Sequence, residues 1–488
     1  MVTRRRFLLT AAATAPAFAL KAQETAPPPA PATSPEKAPE AAPCAEPALP
    51  AAILALTDRR KDIVPITKDE RQTRLDLARE LMKTYGMDAI LITSGASLRY
   101  FTGMTWGQSE RLFTYVLPQQ AAPFIICPWF ERDHLNDLYP VLPERETTIS
   151  YLWKEDEDPY AILQRGLAEY SLATGTLGIE EHVQFAFSNG VAKACPALKI
   201  VPATPVTAGC RSLKSPAEIA LLRLANSITF DVYRAVYQSC GPGDTNQHFS
   251  DLVNRAYARC GVTGDASCNV GPYSAIPHGS DKVQTIREGD MVLIDDGCTV
   301  EGYTSDISRS FVYGTPTDFQ REIFRIVQNA QSAALAAARP GVEMQAIDAA
   351  ARKIITDSGY GPGYDFFVHR LGHGIGLDMH EWPYLVGGNS QKLVAGMLFS
   401  NEPGIYLRGK FGLRLEDDML LTENGAELLT TQSPSLQDPF AIPAVLPTKP
   451  NDAPSATTPP APPTDAPKPI HLKQADPTPE QTPTTPKN

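Results

Sequence analysis

The 488-residue chain lacks three things whose absence narrows its function. It has no run of about 20 apolar residues, the length a membrane-spanning helix needs; the apolar stretch ending near Ala19 to Ala22 is shorter and rich in alanine. It has no excess of positive charge. With 44 Lys and Arg against 55 Asp and Glu, the formal net charge is −11, which argues against a nucleic-acid partner. It also has no CxxC pair and no metal-finger spacing among its eight cysteines, at 44, 127, 195, 210, 240, 260, 268 and 298. Most of these are expected as small buried apolar side chains.

The two ends carry composition rather than pattern. Met1-Val-Thr-Arg-Arg-Arg-Phe-Leu-Leu sets consecutive arginines ahead of the alanine-rich stretch, as in a twin-arginine export signal. The expectation is a signal over 1–22, cleaved after Ala22, leaving no integral membrane anchor and a periplasmic or secreted protein. Cleavage would remove Arg4, Arg5, Arg6 and Lys21 and no acids, making the mature chain still more acidic. Residues 23–62 are dominated by Pro, Ala and Glu and are expected as a disordered linker; Cys44 within them is a weak match to a lipid-attachment site. Residues 435–488, rich in Pro, Thr, Ala and Asp, are expected as a disordered tail.

Between them the pattern changes twice. Over 63–208 helical and strand-like runs alternate, with a helix near 71–85, strands near 89–93, 113–117 and 123–127, and a helix near 160–170, which predicts an α/β domain. Over 209–434 a new plan begins with Ser215-Pro216-Ala217-Glu218, a capping box with proline at the first helical position. Leu221, Leu224, Ala225, Ile228, Val232, Ala235 and Val236 form its apolar stripe. Gly241-Pro242-Gly243 ends that helix, and a second runs to about 260. The plan then repeats: a helix over about 318–338, a stop at Arg339-Pro340-Gly341, and a helix over about 344–358. The turns are 98 residues apart, and a pseudo-twofold α+β sheet wrapped by helices follows.

Chemistry concentrates in 291–420, where acids and histidines lie in or beside apolar runs. The runs ending at Asp295-Asp296-Gly297 and starting before Asp306 read as strands joined by a turn at 300–302. A turn centred on Val300 and Glu301 makes Asp295 and Asp306 direct cross-strand neighbours; a turn one residue later puts them on a diagonal. Directly opposed side chains have Cβ atoms about 4.5–5.5 Å apart, so two carboxylates there repel unless a cation lies between them. His369, His373 and His380 fall within a glycine-rich run, too clustered for packing alone. Glu402 and Glu416 each sit in an apolar strand context where an unpaired carboxylate is costly, although Glu402 before Pro-Gly also suits a turn and Glu416 can pair with Arg414. One imidazole and four carboxylates, at Asp295, Asp306, His373, Glu402 and Glu416, suit two hard divalent ions: manganese first, with cobalt or zinc as alternatives. That set implies a two-metal hydrolase.

These motifs are also recognisable. Ile294-Asp-Asp-Gly297, Ser305-Asp-Ile-Ser-Arg309, His369-Arg-Leu-Gly-His-Gly-Ile-Gly-Leu377, Glu402-Pro-Gly-Ile-Tyr406 and Arg414-Leu-Glu-Asp-Asp418 resemble the pita-bread metallopeptidases, within them the prolidases and aminopeptidases P. Tyr100-Phe-Thr-Gly103, Glu110-Arg111 and Pro128-Trp-Phe-Glu131 resemble the creatinase-type N-terminal domain, with Ser97 a departure from the asparagine common in relatives. The resemblance implies an α+β pita-bread catalytic domain behind an α/β N-terminal domain, and a homodimer. It further implies cleavage of the Xaa-Pro bond in proline-containing peptides by a hydroxide bridging two metal ions.

The same resemblance implies that Asp295 chelates one metal, Asp306 and Glu416 bridge both, and His373 and Glu402 complete the second, Glu402 also moving the proton. It places His278 and His380 at the carbonyl and oxyanion, His369 on the proline side, and Arg414 beside substrate and ligands. Dipeptide and longer-peptide cleavage both stay open. The alternatives are a non-peptide C–N hydrolase or lyase on the same fold, and a non-catalytic envelope binding protein.

Overall fold

The computed structural model describes residues 48–441. The expected export signal, Cys44, most of the expected linker and the tail from 442 lie outside the described residues. Two expectations at their edges need correction. The chain is anchored from Leu49 onward: in the short helix α1 (Ala51–Leu54) Ile53 is fully buried, with Leu49, Ala52, Leu56 and Ile63 on the same core. At the other end Leu436 and Phe440 are buried, and Val312 N donates to Leu436 O at 2.8 Å. A few large apolar side chains, each worth roughly 1.5–3 kcal/mol when buried, outweigh the Pro-rich composition on which disorder was expected at 49–62 and 435–440.

The N-terminal domain opens with α2 (Lys68–Tyr85). Thr67 caps it by accepting Glu70 N at 3.2 Å, and Gly86 ends it in the left-handed region at φ 65°. β1 (Ala89–Ile92) leads to α3 (Ala96–Thr102), so Tyr100-Phe-Thr closes a helix, with Gly103 as its left-handed cap. The remaining elements are β2 (Thr114–Pro118), β3 (Phe124–Pro128), α4 (Arg132–Leu138), β4 (Ile149–Trp153), α5 (Pro159–Glu169), β5 (Gly175–Ile179), α6 (Phe185–Ala194), β6 (Leu198–Pro202) and α7 (Thr204–Arg211). The strands form one sheet in the order β4-β3-β2-β1-β5-β6. Strand alternation divides its residues between two cores. Ile90, Ile92, Tyr115 and Ile125 pack toward Leu75, Leu81 and Met82 of α2, while Leu91, Val116, Phe124 and Ile126 pack toward Leu163, Leu167 and Val191 of α5 and α6.

The second domain begins with α8 (Pro216–Tyr237), whose capping box is formed as the residues predict. After α9 (Asn246–Cys260) come β7 (Thr263–Gly264), β8 (Ser267–Val270), β9 (Met291–Asp295), β10 (Cys298–Val300), β11 (Tyr303–Thr304) and β12 (Arg309–Val312). The second helix pair is α10 (Asp318–Ala337) and α11 (Met344–Asp357). It is followed by β13 (Gly372–Gly374), β14 (Glu381–Leu385), β15 (Leu398–Asn401), β16 (Gly404–Leu407), β17 (Phe411–Arg414), β18 (Asp417–Thr422) and β19 (Gly425–Leu428). Each helix pair covers its own set of strands: α8 and α9 pack over β8 to β11, and α10 and α11 over the strands from β13 on. Among the described residues no helix is long and apolar enough to cross a membrane.

The aspartate hairpin takes the diagonal register. Val300 pairs with Tyr303, leaving Glu301 and Gly302 as a two-residue turn with φ 50° and 82°, the left-handed pair that matches strand twist. Arg309 pairs with Ile294 on the same count, which sets Ser308, not Asp306, opposite Asp295. A direct Asp295–Asp306 opposition required the turn one residue earlier, where Val300, a β-branched residue, would have to adopt a positive φ.

Candidate metal centre

The sequence folds so that each acid sits where a strand stops or between two strands, and the imidazole sits on a short strand among them. Asp295 ends β9, Asp306 lies between β11 and β12, His373 is the middle residue of the short β13, Glu402 follows β15, and Glu416 lies between β17 and β18. The glycines around His373 permit this. A Cβ on Gly372 would run into Ser400 O and one on Gly374 into Trp382 O, so their absence lets β13 lie tight against its neighbours. The close approach is between backbones of adjacent strands.

The side chains converge. Ligand atoms of Asp295, Asp306 and Glu416 lie within 4.8 Å of one another, as do those of His373, Glu402 and Glu416, so Glu416 belongs to both groups. His373 Nε2 is 3.3 Å from Glu402 Oε1 and 3.7 Å from Asp306 Oδ2. Its Nδ1 is 3.1 Å from Gly374 O, which places the ring proton there and leaves the Nε2 lone pair facing the acids. The His380 ring lies tilted against the His373 ring, centroids 4.0 Å apart, and is exposed on its outer side.

The electrostatics are those of a site made for cations. Burial and the neighbouring Asp295 hold Asp306 well above the carboxylate range; burial and Asp306 do the same to Glu416. Burial pushes Glu402 up to about 8. Asp295 is the exception: burial raises it, but Arg414 and the Ser308 hydroxyl outweigh that and hold it low. Burial pushes His373 down to about 3, so it is neutral at pH 7. Glu416 Oε1 is buried and has no hydrogen-bond partner. An orphaned carboxylate oxygen, three further acids and a neutral imidazole fit divalent metal ions, because only a cation offsets the cost of burying them together.

Around this set lies a shell that the sequence only partly revealed. Arg414 was expected beside substrate and ligands, and its guanidinium is bound into the protein next to the ligands. Nε donates to Ser308 Oγ at 2.7 Å, Nη1 to Pro277 O at 3.1 Å and to Tyr406 Oη at 3.0 Å, and Nη2 binds Asp295 closely. Arg414 thus sits where it orients ligands, Asp295 directly and Glu416 through Ser308. Ser308 and Tyr406 were missed as participants, although both lie inside the quoted motifs. Ser308 donates to Glu416 Oε2 at 2.6 Å, and Tyr406 Oη is 2.8 Å from His369 Nε2. His369 Nδ1 lies 3.6 Å from Glu402 Oε2, which joins it to the set. His278 is exposed on the loop after Ala275 and close enough to bear electrostatically on His380.

Three carboxylates adjacent to the ligands in sequence are assigned elsewhere. Asp296, at φ 88°, accepts Ser267 N at 2.9 Å; Asp417 pairs with the fully buried Arg309 at 2.6 Å; Asp418 accepts from Asn226 Nδ2 at 2.8 Å and from Asp306 N at 3.2 Å. The cysteines stand apart from the centre, all seven described ones being free thiols and only Cys240 less than buried.

Comparison with known proteins agrees with this geometry. Residues 220–423 match the model of metallopeptidase family M24, and residues 74–213 that of the creatinase/prolidase N-terminal domain. The chain is 32% identical over 378 residues to an Xaa-Pro dipeptidase of Lactobacillus delbrueckii subsp. lactis, covering 74% of this chain and 98% of that one. Among solved structures, dipeptidase PepE from Mycobacterium ulcerans aligns with a TM-score of 0.71 at 32% identity, covering 77% of this chain and 99% of that one. A prolidase from Thermococcus sibiricus aligns at 0.68 and 30%, covering 74% and 96%. The chain therefore belongs to metallopeptidase family M24, with a pita-bread catalytic domain behind a creatinase/prolidase-type N-terminal domain.

Proposed function

We propose that the protein is a dinuclear Xaa-Pro dipeptidase that hydrolyses the bond between an N-terminal residue and proline. The observation that carries the reading is Glu416, shared between two ligand groups and left with a buried, unpartnered oxygen. Asp295, Asp306 and Glu416 would hold one divalent ion, and His373, Glu402 and Glu416 the other, with Asp306 beside both. Such ions lower the pKa of water and polarise a carbonyl. The oxygen-rich donor set favours manganese.

The chain's own residues supply the rest. Glu402, which gives up its own proton when the ions bind, would take a proton from the attacking water and pass it to the proline nitrogen as the C–N bond breaks. His380, whose imidazole pKa is pushed down by burial, and the neighbouring His278 would donate hydrogen bonds to the carbonyl oxygen as it gains charge. His369, held through Tyr406, lines the proline side. The relatives named for Xaa-Pro dipeptidase and prolidase activity support the dipeptide as substrate. The proposal extends to a homodimer exported by the twin-arginine route to the periplasm, on the arginines at 4–6.

The test is hydrolysis of Ala-Pro, Ala-Pro-Ala and Ala-Ala-Ala by metal-stripped protein given manganese, cobalt or zinc. Metal-dependent cleavage of Ala-Pro over the other two is the expected result. No cleavage despite tight binding of two ions would sink the peptidase reading and direct the search to non-peptide C–N substrates.

A further inference from the structure

A second set of ligand-type side chains lies on the turn between α8 and α9 and the first turn of α9, where nothing in the proposed reaction uses it. Cys240, Asp244 and His248 recur at every fourth position, and their Sγ, carboxylate oxygen and ring nitrogen all lie within 4.8 Å of one another. Asp244 and His248 are each more than a third exposed and Cys240 is half-buried, so the group opens to solvent.

The backbone beneath is held from several sides. Asp244 Oδ2 accepts Gly241 N at 2.9 Å, Ile286 N donates to Asp244 O at 2.8 Å, Gly243 N donates to Ile286 O at 2.9 Å, and Thr245 Oγ1 accepts His248 N at 3.1 Å. The other Asp244 oxygen, Oδ1, stands 3.8 Å from His248 Nε2. That is too long for a hydrogen bond. Two ligands at zinc-type bond lengths in a tetrahedral site stand about 3.3 Å apart, so a small turn of the exposed His248 ring closes the set on one ion.

The fold itself does not ask for these residues. Its second half builds the corresponding turn 98 positions later, with Gly341 for Gly243 and α11 starting at Met344 as α9 starts at Asn246. There the three positions are Ala338, Val342 and Ala346. The same turn therefore forms without a thiol, an acid or an imidazole.

We propose that Cys240, Asp244 and His248 form a second metal site, for a thiophilic divalent cation of the zinc class, with one coordination position open to solvent. One sulfur, one oxygen and one nitrogen ligand select zinc or cobalt over manganese, so the site is chemically distinct from the oxygen-rich centre. An ion here braces the turn whose Asn246 binds Lys282 O and the backbone of Gln284, and so steadies the loop that carries His278.

The test is cobalt(II) titration of the full chain already loaded with manganese, followed by near-ultraviolet thiolate-to-cobalt charge-transfer absorption. Asp295, Asp306, His373, Glu402 and Glu416 bring no sulfur, so this band reports the second site whatever occupies the first. The expected result is a band saturating at one equivalent and absent in Cys240→Ser. In His248→Ala, an exposed change that leaves the fold intact, affinity should fall by roughly an order of magnitude or more. Absence of the band in the parent protein, its persistence in Cys240→Ser, or equal affinity in His248→Ala overturns the proposal.

Discussion

Ser308 and Glu416 are joined by a 2.6 Å hydrogen bond to Oε2, and the other carboxylate oxygen, Oε1, is left buried with no hydrogen-bond partner. The same hydroxyl accepts from Arg414 Nε at 2.7 Å, so one small side chain orients a shared ligand and its supporting cation.

Ser308→Ala should therefore keep the fold and lose metal. Loss of an outer-shell partner weakens binding about 10–100-fold, which titration with manganese, read by the signal of the free ion, will measure. Unchanged affinity would mean that Glu416 is held by Arg414 alone.

Metal binding should release protons near neutral pH. Burial raises Glu402 to about 8, so at pH 7 the metal-free protein carries its proton, and an ion must displace it. Affinity for manganese is then expected to rise with pH across the neutral range, the more so because Asp306 and Glu416 are raised as well. Calorimetry in buffers of different ionisation enthalpy measures the released protons directly. A binding constant flat between pH 6 and 8, with no proton release, would contradict the raised carboxyl.

Arg309 and Asp417 are both fully buried and paired at 2.6 Å behind the centre. Arg309→Met leaves Asp417 uncompensated and should cost about 3–5 kcal/mol of stability, seen in denaturant unfolding of the metal-free protein. The double change Arg309→Met with Asp417→Leu should recover much of that loss, since an apolar pair of similar volume replaces both charges. Equal losses in the single and double variants would show that Arg309 matters through its bonds to Glu416 O and Thr431 O.

Glu301 holds φ 50° in the turn that sets the aspartate register. Asparagine tolerates that region better, so Glu301→Asn should raise stability by about 0.5 kcal/mol or more and leave metal affinity unchanged. Gly302→Val should lower both stability and metal affinity. It strains φ 82° and drives its Cβ into the Arg99 side chain, disturbing the register of Asp295 and Asp306.

Much of this molecule is legible in residue order, because the relevant signals are local. The Ser215 capping box, the Pro-Gly turns between helix pairs and the acids set in apolar runs depend on neighbours a few positions away. So does the near-identity of the two helix–turn–helix plans, from which the doubled architecture could be argued. The five candidate ligands were nameable because burying them without a cation is costly wherever they fold.

Tertiary structure alone decided the rest. Sequence left two registers for the aspartate hairpin; the left-handed pair Glu301 and Gly302 selected the diagonal one, since Val300 resists a positive φ. Residue order could not separate Glu416 from Asp417 and Asp418, which became two ion-poor positions through Arg309 and Asn226, partners more than 100 residues away. Arg414 was joined to Asp295 by the same kind of distant contact. The chain order thus determined which side chains could hold metal, and the long-range pairing of strands determined which of them do, because an isolated charge finds its buried partner only when the sheet has closed.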